Sequence, residues 1–351
     1  MLEEFHAKEG VEPAKNGRLV RRLKAPPNAS RTARVTRPQK NLRIMIVYKG
    51  GDWWQALRHF HTSIVIRQLL VRVSLVGVYG AAIAIWGLEF HHHMLNISRE
   101  YFSFLGILLS LLLVFRTNTA YDRYYEGRRV WGELVSQCRG LAIELNAVLP
   151  RDAMASRRYF AALISNFPFA LKGSLRGDMK FEQMESTPDI MERLRSAENV
   201  ATTLIAVLQE SVEQLRQVEI IRDTHLLTFK PHFITMMSVS GTCERIKATP
   251  IPFSYTFFIK AYILTFIGVM PFVLLSTSGY FMIPITMFGA YALLGLEMIG
   301  EEIENPFGLD SNDLPITQLS NRIRVSVHDV LRVELSDRKK ALATPPYSVV
   351  H

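Results

Sequence analysis

Apolar and polar positions along the chain separate into stretches of different length and period. Four apolar stretches stand out, at about 69–88, 101–118, 252–275 and 280–299. The last two come from one run, Ala261 to Leu296, that contains no charged residue. Such a run is too long for one bilayer crossing, and "STSGY" at 276–280, after Pro271, offers a turn, so a hairpin of spans is expected. The region 119–250 is rich in helix formers, and Val130, Leu134, Cys138, Leu141 and Leu145 recur at spacings of three and four. Residues 190–221 read as one long amphipathic helix, and 177–189 as a polar connection. No strand period, internal repeat or low-complexity tract is visible. The pattern predicts an all-α, integral membrane protein: four transmembrane helices continuing into a cytoplasmic helical bundle, over residues 46–335.

The second stretch is the informative one. In "GILLSLLLVFRTNTAYDRYYEGRR" (106–129) an apolar run meets Arg116, Thr117 and Asn118 and passes into polar sequence with no glycine or proline at the junction. The uncharged part, Tyr101–Phe115, is shorter than the roughly 17–25 residues a helix needs to cross a bilayer. The crossing therefore has to be completed with Arg116, Thr117 and Asn118. Ionisable side chains at that depth face protein or a watery cavity; a lone Arg116 snorkelling to the headgroups is an equal reading. Ile107, Leu111 and Phe115, four apart, form a slowly drifting apolar stripe, a pattern more often seen in ordinary helix packing. Ser103, Gly106 and Ser110 close by allow tight approach of another helix. Both features fit a helix packed against copies of itself.

Composition agrees with a mixed chain. Of 351 residues 48% are hydrophobic, and the mean hydropathy of +0.11 lies between that of a soluble enzyme and a bundle of spans. The net charge of +9 suits anionic lipid or anionic solutes, and by itself would also suit nucleic acid. Arg43, Lys49, Arg58 and Arg67 precede the first stretch, while the 276–280 turn carries no basic residue and the 89–100 loop only Arg99. Both termini and the 119–250 region are therefore expected on the cytoplasmic side. Residues 1–45 are basic and are expected to be disordered, 336–351 to form a flexible tail, and the acidic start without an apolar core argues against a secretory signal. Two cysteines, Cys138 and Cys243, without CxxC spacing, indicate neither a disulfide framework nor a thiolate metal site.

Candidate chemistry is sparse. There is no phosphate-binding glycine loop, no Ser/His/Asp order and no HExxH, so no enzyme is indicated. His91, His92 and His93 are adjacent and would diverge on a helix, so a polar turn is the better reading than a metal site. "NAS" (28–30) and "NIS" (96–98) match glycosylation acceptors at a frequency chance explains. After the fourth stretch, "GEEIENPFGLDSNDLPI" (300–316) crowds carboxylates around Pro306 and Gly308; it lacks EF-hand spacing, and a solvated acidic turn is the simpler reading.

Three segments, "FRTNTAYDRYYEGRRVWG" (115–132), "GTCERIKATPIPFSY" (241–255) and "EEIENPFGLDSNDLPI" (301–316), together resemble the bestrophin family, especially its bacterial and plant-chloroplast branch. The similarity spans roughly 50–335. The resemblance implies a homopentameric ion channel in which five second spans line one axial pore. Ile107, Leu111 and Phe115 then occupy the family's hydrophobic neck, where stacked apolar rings gate by dewetting. Arg116, Asn118 and Arg123 are expected to supply charge and polarity to the vestibule below it, and "IIRDTHLL" (220–227) places His225 at the cytoplasmic aperture, where a ring of imidazoles would make conduction pH-dependent. Calcium-activated animal members bind Ca²⁺ after the last span. The matching positions are Glu302 and Asn305 through carbonyls and Asp310 and Asp313 through side chains, although bacterial and chloroplast members are not generally calcium-gated. No cofactor is required, and Ca²⁺ is the one candidate.

The expected partners are copies of the chain, membrane lipid and small monovalent anions such as chloride, not nucleic acid. A monovalent-cation-selective homologue and a non-conducting membrane scaffold or regulator are the alternatives. A bacterial inner membrane is the expected location, with a thylakoid membrane as the other.

Overall fold

The computed structural model describes residues 64–89, 98–185, 188–310 and 312–335, all within one compact unit, Leu42–His351. The expectations for residues 1–45, the three adjacent histidines, the acceptors Asn28 and Asn96, and the tail 336–351 fall outside the described residues. Among the described residues every regular element is helical: α1 (Ile64–Glu89), α2 (Arg99–Val148), α3 (Met154–Arg176), α4 (Pro188–Ser196), α5 (Val200–Gln217), α6 (Asp223–Ala248), α7 (Phe253–Ser278), α8 (Met282–Glu304) and α9 (Ile316–Leu331). Among the described residues three stretches are long and apolar enough to cross a membrane: Ile66–Glu89, Arg99–Val148 and Phe253–Glu304.

The third stretch is a hairpin. Its helices α7 and α8 are separated by a short 3-10 turn, Gly279–Phe281. Gly279 sits at φ 50°, a conformation that costs residues with a Cβ about 1–2 kcal/mol and explains the glycine at the reversal. The reversal brings Met270 against Gly289, and the Ile251 N–H at the foot of α7 donates to Glu304 Oε1 at the end of α8 at 2.9 Å.

Helix α2 runs unbroken for 50 residues, about 75 Å at 1.5 Å per residue, more than twice a bilayer core. It starts at an N-cap, with Ser98 Oγ accepting from the Tyr101 N–H at 3.3 Å. At the apolar-to-polar junction, hydroxyls of the kind that cap helix ends fold back on the helix instead. Thr117 Oγ1 donates to the Leu113 carbonyl at 2.8 Å and Thr119 Oγ1 to that of Phe115 at 3.0 Å.

Two kinds of core follow the two solvents. The polar half of α2 packs with α3, α5, α6 and α9 around one continuous cluster that includes Trp131, Leu134, Leu145, Phe160, Phe167, Leu208, Phe229, Met236 and Ile323. Helix α3 is buried on nearly every side from Phe160 to Gly173. Around the apolar halves the buried clusters are small, the main one being Leu109, Leu113, Ile259, Ile263, Ile267 and Ala290. Leu75, Val78, Leu264 and Phe288 stay 65–74% exposed there. A helix facing hydrocarbon gains little by burying aliphatic groups in protein.

One predicted element is split. The 190–221 segment forms α4 and α5 rather than one helix. Asn199 breaks it: its Oδ1 accepts from the Thr202 N–H at 3.0 Å as an N-cap, and its Nδ2 donates to Glu244 at 3.1 Å. Cys138 and Cys243 are free and buried, as expected.

Candidate functional site

Helix α2 keeps one face exposed along its length. Ile107, Leu111 and Phe115 are 66%, 49% and 55% exposed, and the stripe continues downward through the exposed Asn118, Asp122, Tyr125, Arg129 and Glu133. A single helix face thus passes from wholly apolar to polar and charged without interruption. The opposite face carries Leu109, Leu113, Arg116 and Ala120, all buried.

Arg116 does not lie on the exposed stripe, contrary to the expectation that it supplies vestibule charge. It follows Phe115 directly, so it points about 100° round the helix. Its side chain is 1% exposed, with Nη1 on Glu297 Oε1 at 3.0 Å and Nη2 3.9 Å from Glu304 Oε2. Glu297 is shared with Lys260 of α7 at 3.4 Å, and Lys260 also holds Glu301 at 3.1 Å. The physical reason is that a guanidinium at membrane depth is stable only beside a compensating carboxylate or water, and α8 supplies the carboxylate.

Arg123 differs from expectation as well. It lies two turns below Arg116 on the same face and donates to three backbone carbonyls: Nε to Glu304 at 3.0 Å, Nη1 to Thr249 at 2.5 Å and Nη2 to Ile246 at 2.6 Å. These are carbonyls left without intrahelical partners at the ends of α6 and α8, and a cation at a helix C-terminus also meets the dipole favourably. Asn118 alone of the three vestibule residues projects from the stripe.

His225 sits in the first turn of α6, half-buried, where its Nδ1 accepts the Arg222 N–H at 3.0 Å.

The acidic turn is folded by its own acids. Asp313, 2% exposed, accepts the Asp310 N–H at Oδ2 (2.6 Å), and the Leu314 N–H donates to the Pro306 carbonyl at 2.9 Å. A Cβ on Gly308 would lie 2.6 Å from that same Oδ2, so any other residue there would have to displace the Asp313 carboxylate. Burial pushes the Asp313 carboxyl up to about 7, opposed by the Asp310 N–H and reinforced by the charges of Asp310 and Glu302. Glu302 is buried and accepts from Asn312 Nδ2 at 2.8 Å, whereas Asn305 is exposed. The turn is held by Oδ2 of Asp313 and one carboxylate oxygen of Glu302, while Oδ1 of Asp313 is buried without a hydrogen-bond partner. Among the described residues no three acids, histidines or cysteines lie close enough together to hold a metal ion. A Ca²⁺ ion takes six to eight oxygens, and here it would draw on the carbonyls of Glu302 and Asn305 beside the carboxylates of Asp310 and Asp313.

Sequence reading overlooked Lys260 and Glu297, and saw Glu301 and Glu304 only as part of the acidic turn. A signal was present: Lys260 and Glu297 bracket the uncharged run Ala261–Leu296, and any hairpin in that run returns its two ends to one level.

Fold and surface together define an all-helical membrane protein built around one long helix with a continuous exposed face. Residues 45–329 match the family described as Bacterial/Fungal Bestrophin protein, and the chain belongs to that family. It is 32% identical over 295 residues to a voltage-dependent anion channel-forming protein of Ralstonia nicotianae, covering 82% of this chain and 94% of that protein. The voltage-dependent anion channel-forming protein YneE of Escherichia coli K12 is 29% identical over 287 residues, covering 81% and 93%. Among solved structures, a bacterial bestrophin homolog from Klebsiella pneumoniae is 26% identical with a TM-score of 0.69, covering 77% of this chain and all of that one.

Proposed function

We propose that the protein is an ion channel in which copies of the chain surround an axis, the exposed stripe of α2 turned inward, and small monovalent anions such as chloride pass between them. In this reading the assembly is a homopentamer with four spans per chain (α1, the apolar half of α2, α7 and α8) in a bacterial inner membrane, both ends on the cytoplasmic side. Ile107, Leu111 and Phe115 form the narrowest rings, and Asn118 begins the vestibule beneath them. His225 rings the cytoplasmic aperture, where protonation of the imidazoles makes conduction respond to pH.

The observation that carries the reading is the single 50-residue α2, whose exposed face changes from apolar at Ile107–Phe115 to polar below it. A helix left open along its whole length needs either lipid or partners, and polar residues from Asn118 onward are unsuited to lipid. Stacked aliphatic rings are a constriction that gates by dewetting. Permeation of this kind needs no catalytic group. Similarity to voltage-dependent anion channel-forming proteins of Ralstonia and Escherichia supports anions as the permeant species.

A second reading, cation selectivity, has a specific observation in its favour. Arg116 is neutralised by Glu297, and the stripe below the neck carries Asp122 and Glu133 beside Arg129. The reversal potential of purified protein in a planar bilayer under a KCl gradient separates the two. A value near the chloride equilibrium potential supports anions, one near the potassium potential replaces them with cations, and silence across pH and voltage in a verified pentamer leaves a scaffold.

A further inference from the structure

Around the neck, α2 has no hydrophobic face in the usual sense. Residues 107–115 read Ile, Leu, Leu, Ser, Leu, Leu, Leu, Val, Phe, apolar nearly all the way round. In a soluble protein the apolar stripe decides which side of a helix is buried. In hydrocarbon that preference vanishes, because lipid is as apolar as leucine. Sequence pattern alone therefore leaves open whether Leu109 and Leu113 or Ile107 and Leu111 pack on α7. The structure has a definite answer: Leu109 and Leu113 are 0% and 1% exposed, Ile107 and Leu111 66% and 49%.

We propose that the Arg116–Glu297 ion pair sets the rotation of the apolar half of α2, above the polar half that Arg123 and the bundle core already hold, and thereby decides which apolar side chains form the neck. This rests on the channel reading for its consequence but not for its geometry. Arg116 is one residue after Phe115, so turning α2 by about 100° would carry the charge onto the exposed stripe and Phe115 into the protein. Only one rotational setting brings the guanidinium to Glu297, the buried carboxylate of α8 with which it makes a 3.0 Å bond. The Nε of Arg116 is buried without a hydrogen-bond partner, and the next carboxylate, Glu304, is 3.9 Å away. The charge therefore depends on Glu297, and a departure from that setting leaves it unpaired at membrane depth, which is strongly disfavoured. Glu297 is itself fixed from the other side by Lys260 at 3.4 Å, so the setting of α2 is referred to both arms of the α7–α8 hairpin. Arg116 and Glu297 act as positioning residues: they touch no permeant ion.

The test reads rotation directly. Single reporter thiols, Leu109→Cys and Leu111→Cys, are placed in the full-length protein with and without the paired substitution Arg116→Met plus Glu297→Met. Replacing both partners by apolar groups of similar length removes both charges of the pair, while Lys260 keeps Glu301 and Glu304 keeps the Ile251 N–H, so the fold survives where either single substitution would strand a charge. With the pair intact, the thiol introduced at position 111 should react with a small thiol reagent roughly tenfold or more faster than the thiol introduced at position 109, as the exposures of the two sites require. Without the pair the two rates should approach each other to within about threefold. An unchanged ratio in a folded double variant overturns the proposal, and if the reversal potential moves toward zero at the same time, Arg116 acts on the ion instead. A silent wild type would sink the channel reading while leaving the labelling result to judge the rotation.

Discussion

Leu111 and Leu113 stand two residues apart on α2 and have opposite surroundings, so truncating each in turn separates a pore effect from a packing effect. Leu113 is 1% exposed and packs with Leu109, Ile259, Ile263, Ile267 and Ala290. Leu113→Ala removes three carbons and leaves a cavity. Because lipid replaces water as the reference, the transfer part of the usual cost of about 2–5 kcal/mol is small and the cavity part remains, roughly 1–3 kcal/mol. Leu111 is 49% exposed in the protomer, so Leu111→Ala should cost less than about 1 kcal/mol. In the proposed assembly, however, Leu111→Ala empties a whole ring of the constriction. A fall of only about 0.65 kcal/mol in the permeation barrier gives about threefold more current, and a larger rise is expected. Single-channel conductance in planar bilayers and thermal unfolding in detergent measure the two quantities on the same preparations. Leu111→Ala should raise conductance at nearly unchanged stability; Leu113→Ala should lower stability at nearly unchanged unitary conductance. The reasoning is refuted if Leu113→Ala changes conductance more than Leu111→Ala does, because the stripe facing the ion would then be the other one.

Asp313 makes stability depend on pH. Its carboxyl is raised in the folded state from 3.8 to about 7, so the native protein binds the proton more tightly and stability falls as pH rises from about 4 to about 7. Asp313→Asn should flatten that part of the profile in pH-dependent thermal unfolding; an unchanged slope would exclude Asp313 as its source. Asn199→Ala should cost about 1 kcal/mol through loss of the α5 cap, measured by denaturant unfolding, whereas Asn199→Ser should retain the cap without setting a second carboxylate against Glu244. Because the acidic turn is closed by the Asp310–Asp313 and Asn312–Glu302 hydrogen bonds, chelating Ca²⁺ should leave conductance and melting temperature unchanged, and a fall in either would show that the turn binds the ion after all.

Much of the architecture was legible in one dimension because it is written in local composition. The hairpin needed only an uncharged run too long for one crossing and a glycine to turn it, and α7 and α8 meet at Gly279 within the expected turn. The bundle helices needed only their period. The misses share a cause. Asn199 is a poor helix former in an otherwise helical segment, and where it caps α5 its amide is also held by Glu244, distant in sequence. Arg123 reads as a pore charge until α6 and α8 present carbonyls to it.

Arg116 shows where the boundary falls. Its position, one residue past an apolar run too short to span, is enough to say that α2 carries a charge to the edge of the membrane and continues beyond it. Chain order and hydropathy determine that much, since bilayer thickness and helical rise are constants. Whether the charge meets an ion pathway or a carboxylate is not encoded near it. Glu297 lies 181 residues away and reaches Arg116 only when the hairpin has closed and α8 has packed on α2. Tertiary structure decided the partner, and with it the face that α2 turns outward, because an electrostatic bond in a medium of low dielectric is specific in direction while hydrophobic contact with lipid is not.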